Sequence, residues 1–443
     1  MKVLKATSAL LLTAVLGNAY VLSDVQEPIR ASSVELSSHD KLSEVIASSP
    51  LLSLHRAICE VESVTDDELP VARLIIKFLE AHDFIVKTQS VPPPDTTNDT
   101  QARWNIYAYP DPSKYGGSQQ KASQPSPKVL LSSHIDTVPP HIPYSLSLSK
   151  NAEDDGGPSS KKDILISGRG TVDDKACVAV QIQTLLDLLA DGSTNIDPSD
   201  LALLLVVGEE KRGDGMKHFS DSELYQKTKS NYKAVLFGEP TEGKLATGHK
   251  GIFMVKVDAH GKAAHSGYPW LGRSANSMIL PALLTLDTLG DIPESEGGLP
   301  RSGKFGKSTV NVGYIRGGVA GNVVPEFATA DVTFRLAGGT PEGVQQIVRK
   351  AIHAADPDDL LDLEFFQGYG PISLDADVKG FDTITVNYGT DIPNLELAAG
   401  VKRYLYGPGS ILVAHGRNEG LTVGDLEEAL QGYKRLVHHV LKL

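Results

Sequence analysis

A chain of 443 residues, 41% of them hydrophobic, can bury a large core spread over two or three domains, and as a whole it is too apolar to be disordered. Its formal charge of −13 excludes a surface built for polyanions, because counterion release needs clustered Lys and Arg. No nucleic-acid partner is expected.

The chain opens on Lys2 and Lys5, an apolar run from Ala6 to Leu16, and the small-x-small step Gly17-Asn18-Ala19. This pattern predicts a signal peptide over residues 1–19 and an acidic, secreted, extracellular mature protein. The run is too short to span a bilayer and no later one approaches that length, so no membrane anchor is expected. Cys59 and Cys177 are the only cysteines; one bridge and two buried thiols are both open readings. Asn98-Asp99-Thr100 is the single N-glycosylation sequon, in a loop rich in Pro, Thr and Asp.

Helical periodicity covers Lys41 to Glu60 and Leu69 to His82, followed by strand patterns at Phe84–Gln89 and Trp104–Tyr109. Two polar insertions, Pro110 to Pro127 and Ser149 to Asp163, read as surface loops. Between them Lys128–Ser133 is a short buried strand that runs into His134-Ile135-Asp136. After the second, the apolar Ile164-Leu165-Ile166 leads through a glycine turn to Asp173-Asp174 and then a helix ending near Ala190. Two further apolar strands end on acids: Leu201–Val207 on Gly208-Glu209-Glu210, and Ala234–Phe237 on Gly238-Glu239. Strands alternating with helices predict an α/β, doubly wound, mainly parallel sheet whose strand ends converge on one crevice.

From Gly251 the pattern changes to strand, helix, strand, strand, helix, strand, ending at Phe366. That is the ferredoxin-like split β-α-β-β-α-β unit, read as an insertion into the first domain. The expected boundaries are 41–248 and 369–443 for the two parts of the catalytic domain and 249–368 for the insertion. A final helix runs from Gly424 to Lys442.

Five residues able to hold metal sit at strand ends or turns: His134, Asp173, Glu210, Glu239 and His415. Two imidazoles with three carboxylates form a ligand set suited to zinc. Asp173 is the candidate bridge, since one carboxylate can hold two ions about 3.5–4 Å apart.

The stretches Ser-His-Ile-Asp-Thr-Val-Pro, Gly-Arg-Gly-Thr-Val-Asp-Asp-Lys, Gly-Glu-Glu, Gly-Glu-Pro and Gly-Lys-Ala-Ala-His-Ser-Gly occur here in the order found in the peptidase-20 metallohydrolases. From about Leu42 to the C-terminus the chain resembles that family of carboxypeptidases, deacetylases, desuccinylases and aminoacylases. The resemblance implies two Zn2+ per chain: His134 and Glu239 on one, Glu210 and His415 on the other, Asp173 between them, with a cis bond after Asp173. It implies that Asp136 orients His134, and that Glu209 is the general base for a zinc-activated water. The insertion becomes a lid and dimerisation domain, in which His265 stabilises the oxyanion and Arg335 and Asn322 bind a substrate carboxylate.

The expected activity is cleavage of an amide bond next to a free carboxylate, in a peptide or an N-acyl amino acid, by a monomer or a homodimer through the lid. A secreted di-zinc aminopeptidase or dipeptidase is the alternative within enzymes. A non-catalytic binding protein on the same scaffold is the alternative outside them.

Overall fold

The computed structural model describes residues 38–93, 102–115, 126–149, 160–191 and 196–442. The expected signal segment, Asn98 and most of the second insertion lie outside these residues. Three runs of apolar sequence, Val129–His134, Leu201–Val206 and Ala234–Phe237, are buried at every position, as strands covered on both faces must be. With Lys402–Leu405 they run parallel. The six-stranded sheet has the order Phe84–Val91, Arg103–Pro110, Leu201–Val206, Val129–His134, Ala234–Phe237, Lys402–Leu405, and only Arg103–Pro110 opposes its neighbours.

Because successive strand residues point to opposite faces, the sheet feeds two cores. Val129, Leu131, Leu203 and Leu205 meet the helices Pro50–Cys59, Leu69–Ala81, Lys175–Ala190 and Val423–Lys442, while Leu130, Leu204 and Val206 meet Tyr107, Phe219, Tyr225 and Tyr232. Each such leucine contributes about 1.5–3 kcal/mol through burial. Lys175–Ala190 is buried continuously from Lys175 to Leu185, which explains why that stretch is apolar on nearly every side.

The inserted unit has its own four-stranded antiparallel sheet, ordered Thr309–Gly317, Phe327–Leu336, Gly251–His260, Leu361–Tyr369. Alternating burial turns one face toward the helices Ala275–Thr288 and Pro341–Ala355, around a separate core that includes Phe253, Val257, Ile279, Phe334 and Val348. A small three-stranded sheet stands where the chain crosses between the units. Leu245–His249 is its centre, Ile372–Ser373 pairs antiparallel to it and Thr383–Val386 parallel. The chain enters the insertion just after the first of these strands and returns just before the second.

Several local expectations change. The helical stretch from Lys41 to Glu60 is two helices, Ser38–Ala47 and Pro50–Cys59, because Pro50 cannot continue the first but suits the opening turn of the second, which Ser49 caps. The helices Asp214–Ser220 and Glu223–Thr228 and the crossing sheet were not anticipated. Cys59 and Cys177 are both free, buried thiols, which decides between the two readings. Among the described residues no helix is long and apolar enough to cross a membrane.

Candidate active site

Parallel strands bring their C-terminal ends to one edge of the sheet, and the acidic residues that follow them meet there. His134 ends its strand, Glu209 and Glu210 follow Val206 through Gly208, and Glu239 follows Phe237. Gly208 takes φ of 76° with Asp214 and Arg103 packed against it, so a side chain has neither the backbone conformation nor the room. Asp173 comes from the turn before the Lys175–Ala190 helix, after which the Asp173–Asp174 peptide is cis. His415 comes from the loop after the strand Lys402–Leu405, with φ of 62°.

These side chains are in contact. His134 Nε2 lies 3.1 Å from Asp173 Oδ1, and His415 Nε2 lies 3.3 Å from Asp173 Oδ2 and 2.9 Å from Glu210 Oε2. Ligand atoms of His134, Asp173 and Glu210 lie within 4.8 Å of one another, as do those of His134, Glu209 and Glu239. Atoms bound at 2.0–2.1 Å to a tetrahedral zinc stand roughly 3.3 Å apart, so these spacings match the edges of a coordination shell. Glu210 Oε1 is buried and accepts no hydrogen bond among the described residues, an acceptor left for a cation. The donor set therefore fits a metal centre.

Electrostatics give the same reading. Burial pushes Glu209 and Glu239 well above the usual carboxylate range and Glu210 up to about 7, with neighbouring acids adding to each. Burial also opposes ionisation of Asp173, but the bonds to His134 and His415 hold it low. Those bonds, from Asp173 and Glu210, push His415 up to about 10. Such a crowd of buried acids calls for positive charge.

The ligands are held from behind. His134 Nδ1 donates to the backbone carbonyl of Asp136 at 3.0 Å, which leaves Nε2 to face the centre. The Asp136 carboxylate is farther from that ring, at 3.5 Å. It accepts instead from the backbone N–H groups of Glu209 (3.1 Å) and Glu210 (3.2 Å) and from Thr65 Oγ1 (2.8 Å). Asp136 thus fixes the imidazole and the Glu209–Glu210 loop together.

Above this floor is a cavity of about 310 Å³ lined by Glu209, Glu210, Glu239 and His415 and, from the lid, Ile252, Met254, Arg335 and Tyr369. The Arg335 guanidinium makes no hydrogen bond or ion pair among the described residues. His265 and Asn322 lie beside each other, with Ser266 N donating to Asn322 O at 2.9 Å, but both are exposed and neither lines the cavity.

A family model described as a peptidase dimerisation domain matches residues 247–359. Over 427 residues, 95% of this chain and 93% of the relative, the sequence is 50% identical to a protein of Aspergillus fumigatus named "Probable carboxypeptidase". A protein of Uncinocarpus reesii with the same name is 48% identical over 99% of this chain and 98% of its own. The chain belongs to the M20 family of metallohydrolases.

Solved M20-like structures share the fold at low identity. The di-peptidase Dug1p of Saccharomyces cerevisiae superposes with a TM-score of 0.69 at 16% identity, covering 92% of this chain and 98% of that one. An M20 family metallo-carboxypeptidase from Sulfolobus solfataricus gives 0.60 at 15%, covering 89% and 100%. The protein is thus a metallopeptidase or amidohydrolase of a metal-dependent family, an α/β hydrolase with an inserted lid.

Two residues of this M20 site escaped the sequence. Glu419 accepts from the backbone of Val172 (3.1 Å) and Asp173 (3.2 Å) and from Arg169 Nη1 (2.6 Å). Arg169 also donates to the carbonyls of His415 and Gly416, both at 3.3 Å. The buried pair ties the Asp173 turn to the His415 loop. Arg169 is the arginine of the Gly-Arg-Gly-Thr-Val-Asp-Asp-Lys stretch and Glu419 stands close to His415, but a partner 250 positions away leaves no local signal of their pairing.

Proposed function

We propose that this M20 enzyme is a secreted di-zinc hydrolase that cleaves an amide bond next to a free carboxylate, as a carboxypeptidase or a deacylase of N-acyl amino acids. The observation that carries the reading is Arg335. A guanidinium facing the cavity without an anionic partner is a fork for a substrate carboxylate, and it sets that end of the substrate on the lid with the scissile bond toward Glu209.

His134 and Glu239 would hold one zinc, Glu210 and His415 the other, and Asp173 both. Zinc there would lower the pKa of a water and polarise the scissile carbonyl. Glu209 takes the proton of the attacking water and returns it to the leaving nitrogen. Its carboxylate lines the cavity and accepts no hydrogen bond among the described residues, which leaves it free for both transfers. His265 and Asn322 would serve the oxyanion and the substrate only when another lid presents them, because within one chain they lie outside the cavity. Exposed Leu280, Leu284, Tyr314 and Ile315 on the lid support a homodimer, which light scattering would detect.

The deciding experiment is a panel of N-acyl amino acids and C-terminally free dipeptides, each with its C-terminal amide, assayed after chelation and zinc add-back. Zinc-dependent cleavage of the free acids, with the amides slower by several kcal/mol in kcat/KM, is the expected result. Equal rates on acids and amides would overturn the carboxylate reading. Secretion is tested by N-terminal sequencing of protein from the medium, where the mature chain should begin after about Ala19; an intact Met1 would overturn it.

A further inference from the structure

Arg335 is not alone on its row. Across the lid sheet Ile252 pairs with Arg335 on one side and with Tyr369 on the other, so the three side chains stand in line on one face, and all three line the cavity. The outer two lean toward one another over Gly389. A Cβ built on Gly389 would stand 2.2 Å from the Tyr369 hydroxyl and 3.2 Å from Arg335 Nη1. The phenol oxygen therefore occupies the space that a side chain at 389 would need, with the guanidinium close beside it.

The hydroxyl is weakly engaged. It donates to the Thr390 carbonyl at 3.4 Å, at the outer limit of a hydrogen bond. The ring below it is better held, packed edge-on to His249 with centroids 5.9 Å apart. His249 in turn donates from Nδ1 to the Lys250 carbonyl at 2.8 Å and accepts from Thr390 Oγ1 at 3.1 Å. Burial, with Glu209 nearby, pushes the phenol's pKa up, so it remains a donor. A fixed ring carrying a poorly satisfied O–H beside an unpaired guanidinium is half of a two-donor anion site.

We infer that Tyr369 is a specificity-determining residue of the substrate site, its hydroxyl donating to one oxygen of the substrate's terminal carboxylate while Arg335 holds the other, with Gly389 giving the hydroxyl room beside the guanidinium. The inference rests on the carboxylate reading of Arg335. It commits the enzyme to substrates whose carboxylate is unsubstituted and adjacent to the scissile amide, since both donors must reach the same group.

The test uses the zinc-loaded full chain with the N-acetyl dipeptide that the wild type cleaves fastest and its C-terminal amide. Tyr369→Phe removes only the hydroxyl, and kcat/KM for the free acid should fall about tenfold through KM while the amide changes less than about twofold. Gly389→Ala should weaken the free acid at least as much, because its methyl would displace the Tyr369 hydroxyl from beside the guanidinium. Should Gly389→Ala not fold, Tyr369→Phe still decides. Equal loss on acid and amide would mean that the hydroxyl serves only the Thr390 loop, and would overturn the inference. A wild type that does not distinguish acid from amide would instead remove the carboxylate reading itself. Discrimination that depends on Arg335 but not on Tyr369 would remove this inference alone.

Discussion

Arg103 and Arg169, buried beneath the cavity floor, end on carboxylates: Arg103 on Glu68 at 2.9 Å and Asp214 at 2.6 Å, Arg169 on Glu419 at 2.6 Å. Arg335, on the lid, ends on none among the described residues. The floor holds like charges together, and His134, the Asp173 turn and the Glu209–Glu210 backbone are fixed there by hydrogen bonds from behind. The lid carries no such scaffold around Arg335, and the Tyr369 hydroxyl beside it makes only the long bond to Thr390. The two buried arginines are spent on pairing within the chain, whereas the Arg335 guanidinium is left over for the reading proposed above.

The largest break in this contrast should come from Asp173→Ala, which removes the carboxylate touching both histidines. Loss of both zinc ions and a fall in activity of at least ~1000-fold are expected. Elemental analysis finding two zinc ions per chain would contradict the bridging role. Glu209→Gln should separate chemistry from assembly on the same floor. It should reduce kcat at least ~100-fold with zinc content kept, and near-normal turnover would sink the assignment of the base.

Glu419→Ala probes the floor from behind and strands the buried guanidinium of Arg169. It should cost about 3–5 kcal/mol in urea unfolding and weaken zinc affinity roughly 10–100-fold. An unchanged zinc affinity would reduce the pair to a structural brace. Arg335→Lys tests the lid and should be the mildest. Stability and zinc content should stay at wild-type values, kcat/KM for free acids should drop about tenfold, and amides should lose little further, since the contact is already absent. Equal sensitivity of acids and amides would give Arg335 to the lid's own structure.

The sequence carried the sheet well because burial on both faces demands unbroken apolar runs, and Leu201–Val206 and Ala234–Phe237 have no other use for theirs. It carried the five proposed ligands because each stands at the end of such a run or in a glycine turn. What it could not carry was pairing. Nothing local marks Glu419 as the acceptor for the Asp173 turn, or Asp136 as the acceptor for two backbone amides, since amides leave no trace in side-chain identity. The crossing strand Leu245–His249 was missed for a related reason. Its Leu-Ala-Thr-Gly-His has neither alternation nor an apolar run. His265 shows the opposite limit, a motif residue that lies outside the cavity its motif implies.

The crossing sheet has a consequence for modularity. Ile252, one residue into the lid, is paired with Tyr369 at its far end, so the lid leaves and rejoins the main chain at neighbouring points, and it owns a core shared with neither face of the main sheet. Such an insert is a cassette. A short linker in place of residues 253–368 should span the gap at the cost of the bonds from Lys304 to Thr247 and Ser373 and from Lys250 to Lys307, while the hydrogen bonds that hold the floor stay in place.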